Sequence, residues 1–130
     1  MLFRSVSDSG TNAVFKIAPG GFVSLLAGRL NVAGNADGTG AAASFNNPRG
    51  IACDAAGNVY VADTNNNTIR KITPSGVVTT VAGSAPNVSP TRTSVGTSDG
   101  VGRNARFNGP IGVAVDGLGN VYIEIGRAHV

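Results

Sequence analysis

The chain has little of most things from which active sites are built. Its 130 residues include one cysteine, one histidine, one methionine and no tryptophan. A single cysteine, Cys53, excludes an internal disulfide and leaves the redox compartment open. With His129 as the only histidine, most catalytic zinc chemistry is removed, because such sites lean on histidine ligands. Cys53 also lacks the histidine partner that a cysteine nucleophile needs. Charged residues amount to 13% and aromatics to 5%, with a net charge of +3. That is a small charge and few stacking rings for a nucleic-acid binder, so nucleic acid is disfavoured as a partner. No apolar run approaches the ~18 residues of a membrane span. The N-terminus "MLFRSVSDSG" is too short and too polar for a secretory signal. Glycine, by contrast, is abundant at 19 residues, about twice the usual share of ~7%. Many Val, Ile and Thr residues without helical periodicity predict short strands joined by turns.

The chain also repeats itself. At an offset of 55 residues, "KIAPGGFVSLLAG" lies over "KITPSGVVTTVAG" with 7 identities in 13 positions, and Asp8 and Asn12 fall on Asp63 and Asn67. At an offset of 62, "DGTGAAASFNNPRGIACDAAGNVYV" lies over "DGVGRNARFNGPIGVAVDGLGNVYI" with 14 identities in 25 positions. The seven-residue difference falls in the segment after "VAG", as expected of a surface loop that tolerates insertion. One full unit reads as four strands: "RGIACD", "VYVAD", "TIRKIT" and "VVTTVAG". They are separated by turns at "AAGN", "TNNN" and "PSG". "VYVAD" is apolar at nearly every position, as a strand covered on both faces should be. Four antiparallel strands at a fixed period predict a propeller blade.

These residues resemble the NHL repeat, of the bacterial type with an "ADGTGAAASFNNP" insertion. The resemblance rests on Pro48, Gly50, Ile51, Ala52 and Asp54, then on the run Gly57 to Asp63, then on Ile69, Arg70, Lys71 and Ile72. It covers positions 5 to 123. It implies an all-β fold, a partial β-propeller of four-stranded antiparallel blades, from a ring of about six. The expected boundaries are blade fragments at 1–28, 47–83 and 110–123, with inter-blade loops at 29–46 and 84–109. Only the middle blade is complete. The chain reads as a fragment that begins and ends inside blades, in which exposed blade edges favour self-association. The last seven residues, 124–130, "EIGRAHV", match no repeat, and one reading frame of a common sequencing-library adapter encodes them. They are expected to be a non-native tail outside the fold.

Several motifs have both a structural and a functional reading. "GTGAAA" and "GVGRNA" fit a dinucleotide fingerprint, but no long helix follows either one. The structural reading is a short helical turn, capped by Asp37 and Asp99 and anchored by Phe45 and Phe107. "DAAGN" and "DGLGN" lack the terminal glutamate of a calcium loop and read as turns closed by Asp and Asn side chains. Asp63 is expected to accept backbone N–H bonds in its own turn, with Arg70 as a further partner. Cys53 aligns with Val115 and reads as a small buried hydrophobe. The sequons at Asn66 and Asn87 matter only in a eukaryotic secretory pathway.

No catalytic constellation, metal site or cofactor is expected. The arginines are more suggestive. Linkers 29–49 and 84–109 hold Arg29, Arg49, Arg92, Arg103 and Arg106 against Asp37 and Asp99, a local balance of +3. In propellers these linkers share a face with the turns between second and third strands. One face would then be basic and rich in asparagine, with Asn65, Asn66, Arg49, Arg92, Arg103 and Arg106 as candidate contacts. Three functions remain open: a scaffold that binds a protein, glycan or other polymer through that face; part of a propeller lyase or lactone hydrolase with its catalytic residues in further blades; and RNA binding. A solvated face with no partner is the bland alternative. Compartment is unassigned, with an extracellular or cell-envelope setting among those open to a longer parent protein.

Overall fold

A computed structural model describes residues 4–84 and 100–125. Among the described residues the regular structure is strand, apart from three single-turn 3-10 helices. Strands β1 (Arg4–Asp8), β2 (Ala13–Ile17) and β3 (Val23–Gly28) form one antiparallel sheet in the order of the chain. The middle sheet holds β5 (Pro48–Cys53), β6 (Val59–Asp63), β7 (Thr68–Ile72) and β8 (Val77–Gly83) as a meander. A two-residue strand from the preceding linker, β4 (Gly38–Thr39), adds a fifth strand on its outer edge beside β8. The four-stranded expectation is therefore exceeded by one short strand. Strands β9 (Pro110–Val115) and β10 (Val121–Ile125) pair as the start of a third unit.

The repeat extends to irregularities of pairing. The β2–β3 ladder shifts between Val14 and Phe15, and the β7–β8 ladder shifts at the equivalent residues, Ile69 and Arg70. Such bulges increase local twist, so both sheets twist at the same level. The core lies between the first two sheets. Val14, Leu26 and Ala27 pack with Val59, Val61, Ile72 and Val78, and Ala43 and Phe45 of the linker are inserted among them. Phe45 is fully buried, with its ring against Gly28; Phe107 packs on Gly83 in the same way. Both glycines have positive φ, +106° and +83°, and a Cβ at either would strike backbone of the preceding turn. The linker phenylalanines are thus the anchors the sequence implied.

The 3-10 turns Gly40–Ala42 and Gly102–Asn104 stand where short helical turns were expected. Asp37 does not cap the first of them; Thr39 precedes it, and Asp37 is drawn instead to Arg70. Asp99 lies outside the described residues. Cys53 corrects another expectation: it is exposed, at the final residue of β5 beside the exposed Ala55–Gly57 turn. The backbone does not break at Glu124 either. Strand β10 continues through Glu124 and Ile125, paired with Gly112 and Pro110. Residues 126–130 lie outside the described residues.

Candidate functional site at the junction of the second and third sheets

The frame of the site is a set of buried polar contacts. Asp63 ends β6 with its side chain fully buried. Its carboxylate accepts hydrogen bonds from the Asn46 backbone N–H at 2.8 Å, from Asn66 Nδ2 at 2.7 Å and from Arg70 Nη1 at 2.8 Å. Arg70, equally buried, also donates to the Ser44 and Ala36 carbonyls and to Asp37 Oδ1. Its guanidinium lies 4.9 Å from the Phe45 ring centre. Asp63 therefore holds the linker before its blade through the Asn46 N–H, and its own turn through the Asn66 side chain. Burial, the largest influence, pushes the Asp63 carboxyl up, and Asn66, the Asn46 amide and Arg70 pull against that.

A second device joins successive sheets. Asn12 and Asn67 are repeat-equivalent and both left-handed, with φ of 58° and 55°. Asn12 Oδ1 accepts the Asn47 backbone N–H at 2.7 Å, and Asn67 Oδ1 accepts that of Gly109 at 2.9 Å. Asn47 and Gly109 are equivalent as well, so each unit grips the first strand of the next through one amide. Thr64 adds a 2.7 Å bond to the Pro110 carbonyl. Closer in, Gly50 faces the backbone of Ile111–Val113 with no room for a Cβ.

Between these latches lies a polar cleft of about 470 Å³. Arg49 and Asn65 line it, together with Asn47, Asn108 and Ile111. Two of the candidate residues thus come together. Asn66 does not: it is buried, and its amide donates to the Gly34 carbonyl and to Asp63, so it presents nothing to a ligand. Arg106 is buried as well, donating to the Ala105 carbonyl, which removes it from the basic face. Arg92 and the Arg103 side chain lie outside the described residues. Asn47 and Asn108 were missed by sequence reasoning. The "FNN" and "FNG" that precede each Pro were visible as a repeat, but their place at a junction is tertiary information. Among the described residues no cluster of three His, Cys, Asp or Glu side chains could hold a metal ion. No helix among them is long and apolar enough to cross a membrane.

Sheets of antiparallel meander, each latched to the next by equivalent residues around Gly50–Gly112 contacts, define blades of a β-propeller. The sequence model of the Teneurin NHL domain matches residues 28–101. The chain belongs to the NHL family. It is also similar to solved structures from Bacteroides. One, a structural genomics protein of unknown function from Bacteroides thetaiotaomicron, shares 30% identity and superposes with a TM-score of 0.81 over 95% of this chain. Auxiliary nutrient binding proteins from Bacteroides thetaiotaomicron and Bacteroides ovatus each share 25% identity over 88% of the chain, with TM-scores of 0.73 and 0.70. The chain spans 30% of the length of each of these three structures. No curated protein matches it.

Proposed function

We propose that this propeller segment is a binding module, not a catalyst, and that the junction cleft takes part of a hydroxyl-rich polymer, a glycan. The observation that carries this reading is the cleft's lining. Amides from Asn47, Asn65 and Asn108 surround it, and an amide both donates to and accepts from a hydroxyl. A protein partner would bring aromatic or aliphatic anchors, and such anchors need apolar pockets. The lining offers one apolar side chain, Ile111. The likeness to two nutrient binding proteins supports the same reading.

The test is a titration of the chain against soluble polysaccharides by calorimetry. Saturable binding is expected, weakened about two- to tenfold by Asn65→Ala, since a lost hydrogen bond to a ligand is worth ~0.5–1.5 kcal/mol. Leu118→Ser, in the exposed turn beyond the far end of β9, should change nothing. Absence of binding across the panel, or indifference to Asn65→Ala, would overturn the proposal.

A further inference from the structure

Arg49 and Arg70 illustrate two ways of placing an arginine. Arg70 is buried, and its two terminal nitrogens bond to two carboxylates and two carbonyls. Arg49 is exposed on the rim of the cleft, and its guanidinium makes no hydrogen bond or ion pair among the described residues. Its backbone is not loose, because the Ser7 hydroxyl of the first blade donates to its carbonyl. None of the residues lining the cleft is Asp or Glu. A guanidinium on an anchored backbone, with no carboxylate partner among the described residues, attracts an anion, and its planar fork suits a carboxylate. The amides around it add neutral hydrogen bonds without competing for the charge.

The repeat supplies an internal control. The residue equivalent to Arg49 in the next blade is Ile111, which stands at the same point of "PIG" as Arg49 does in "PRG". Both residues line this one cleft. The blade architecture therefore accepts an aliphatic side chain there, and the arginine is not required by the strand. What it adds is charge at the start of one strand, where it lines the cleft.

Building on the glycan reading above, we infer that the polymer is acidic, with a uronate carboxylate seated on Arg49 and its hydroxyls on the neighbouring asparagine amides. A short oligogalacturonate and its fully methyl-esterified form make the decisive pair of probes. They share a hydroxyl pattern and differ in charge. The acid form should bind about tenfold tighter or more at low salt, and the gap should narrow as salt screens the exposed charge. Arg49→Ile, which copies the sibling blade, should abolish the gap; Ile111→Arg should widen it. Arg49→Lys should retain part of it, as a charge without a fork. Circular dichroism of each variant checks folding, and Arg49→Gln serves if Arg49→Ile unfolds.

Equal binding of acid and ester, or a gap that survives both Arg49→Ile and Arg49→Gln, overturns this inference and leaves the glycan reading intact. So does binding confined to neutral glycans. If no glycan of any charge binds, the glycan reading fails, and this inference falls with it.

Discussion

Tyr60 and Tyr122 hold the same place in nearly the same strand, "VYVAD" in one blade and "VYIEI" in the next. Their surroundings differ sharply. Val59 and Val61 beside Tyr60 are buried in the core between two sheets, and Ala62 is fully buried as well. Val121 and Ile123 are only half-buried, and Tyr122 is 59% exposed. The polar chemistry diverges at the same point. The middle blade ends this strand with Asp63, which gathers the linker and Arg70 around it; the third has Ile125 there. One local sequence can therefore specify a strand and its hairpin by itself. Burial, and the ion pair that fastens a blade to its linker, come from neighbours. In the first blade Phe15 occupies the place of Arg70, so the linker lock is a property of the middle blade among the described residues.

The largest expected consequence is association of the isolated chain. Phe22, Val23 and Leu25 of the first blade and Leu30 and Val32 of the following linker are exposed, and among the described residues β1 and β10 are sheet edges. Open edges and apolar faces associate at roughly tens of micromolar. Sedimentation of the chain should show oligomers that Phe22→Ser combined with Val23→Thr reduces. A monodisperse monomer would contradict this. Next in size is the lock itself. Arg70→Ala leaves the Asp63 carboxylate buried without its charge partner, so a loss of about 3–5 kcal/mol is expected in urea unfolding. In the third blade, where Ile125 replaces the aspartate, no such loss is available. If Arg70→Ala costs under ~1 kcal/mol, the lock is not what distinguishes the blades.

Most of the fold was legible because each strand carries its own turn chemistry. "DAAGN" closes through Asp54 and Asn58, and "TNNN" places Asn67 in the left-handed region, both local events. The partner of Arg70 was legible in kind: Arg70 pairs with Val61, and Asp63 stands two residues further along that strand, on the same face. The candidate site was legible in part. Arg49 and Asn65 were reached by loop position, but Asn66, one residue on, turns inward to Gly34, and no local signal separates the two. Burial of Arg106, exposure of Cys53 and the recruitment of Asp37 to Arg70 are likewise matters of three-dimensional placement. Charge counting over linkers could not detect them, because it treats every arginine as exposed.

A smaller effect sharpens the comparison at the inner strands. A Cβ added to Gly50 would meet Gly112 Cα at 2.8 Å and Val113 N at 3.0 Å, all backbone of the next blade. At the equivalent Gly112 it would meet only the Glu124 side chain, Oε2 at 2.8 Å and Cβ at 3.0 Å, of which the carboxylate end can move. Overpacking against fixed backbone costs about 1–3 kcal/mol. Gly50→Ala should therefore lose that much in unfolding experiments, and Gly112→Ala clearly less. Equal losses would mean that the third blade is packed as tightly as the second.

The smallest effect concerns the two hairpin turns that look alike in every contact. Asp54 accepts bonds from the backbone N–H groups of Ala56 and Asn58 and from Asn58 Nδ2, at 2.9–3.0 Å. Asp116 does the same with Leu118 and Asn120, at 2.9 Å throughout. In both, the asparagine side chain is the first cause that holds the carboxyl below 3.8. A carboxyl depressed in the folded state contributes stability that is fully present above pH 3.8 and lost as pH falls through the folded value. Both groups are solvent-exposed, so the contribution is slight. Only Asp54, however, lies in a hairpin whose strands belong to the buried core. Asn58→Ala should therefore flatten the acid limb of a plot of urea midpoint against pH, and Asn120→Ala should barely alter it. Carboxyl titration by NMR should place both groups below 3.8 in the unaltered chain. If Asn120→Ala flattens the curve as much as Asn58→Ala, the third blade unfolds together with the second, and the contrast between their tyrosines would reflect exposure without any difference in stability.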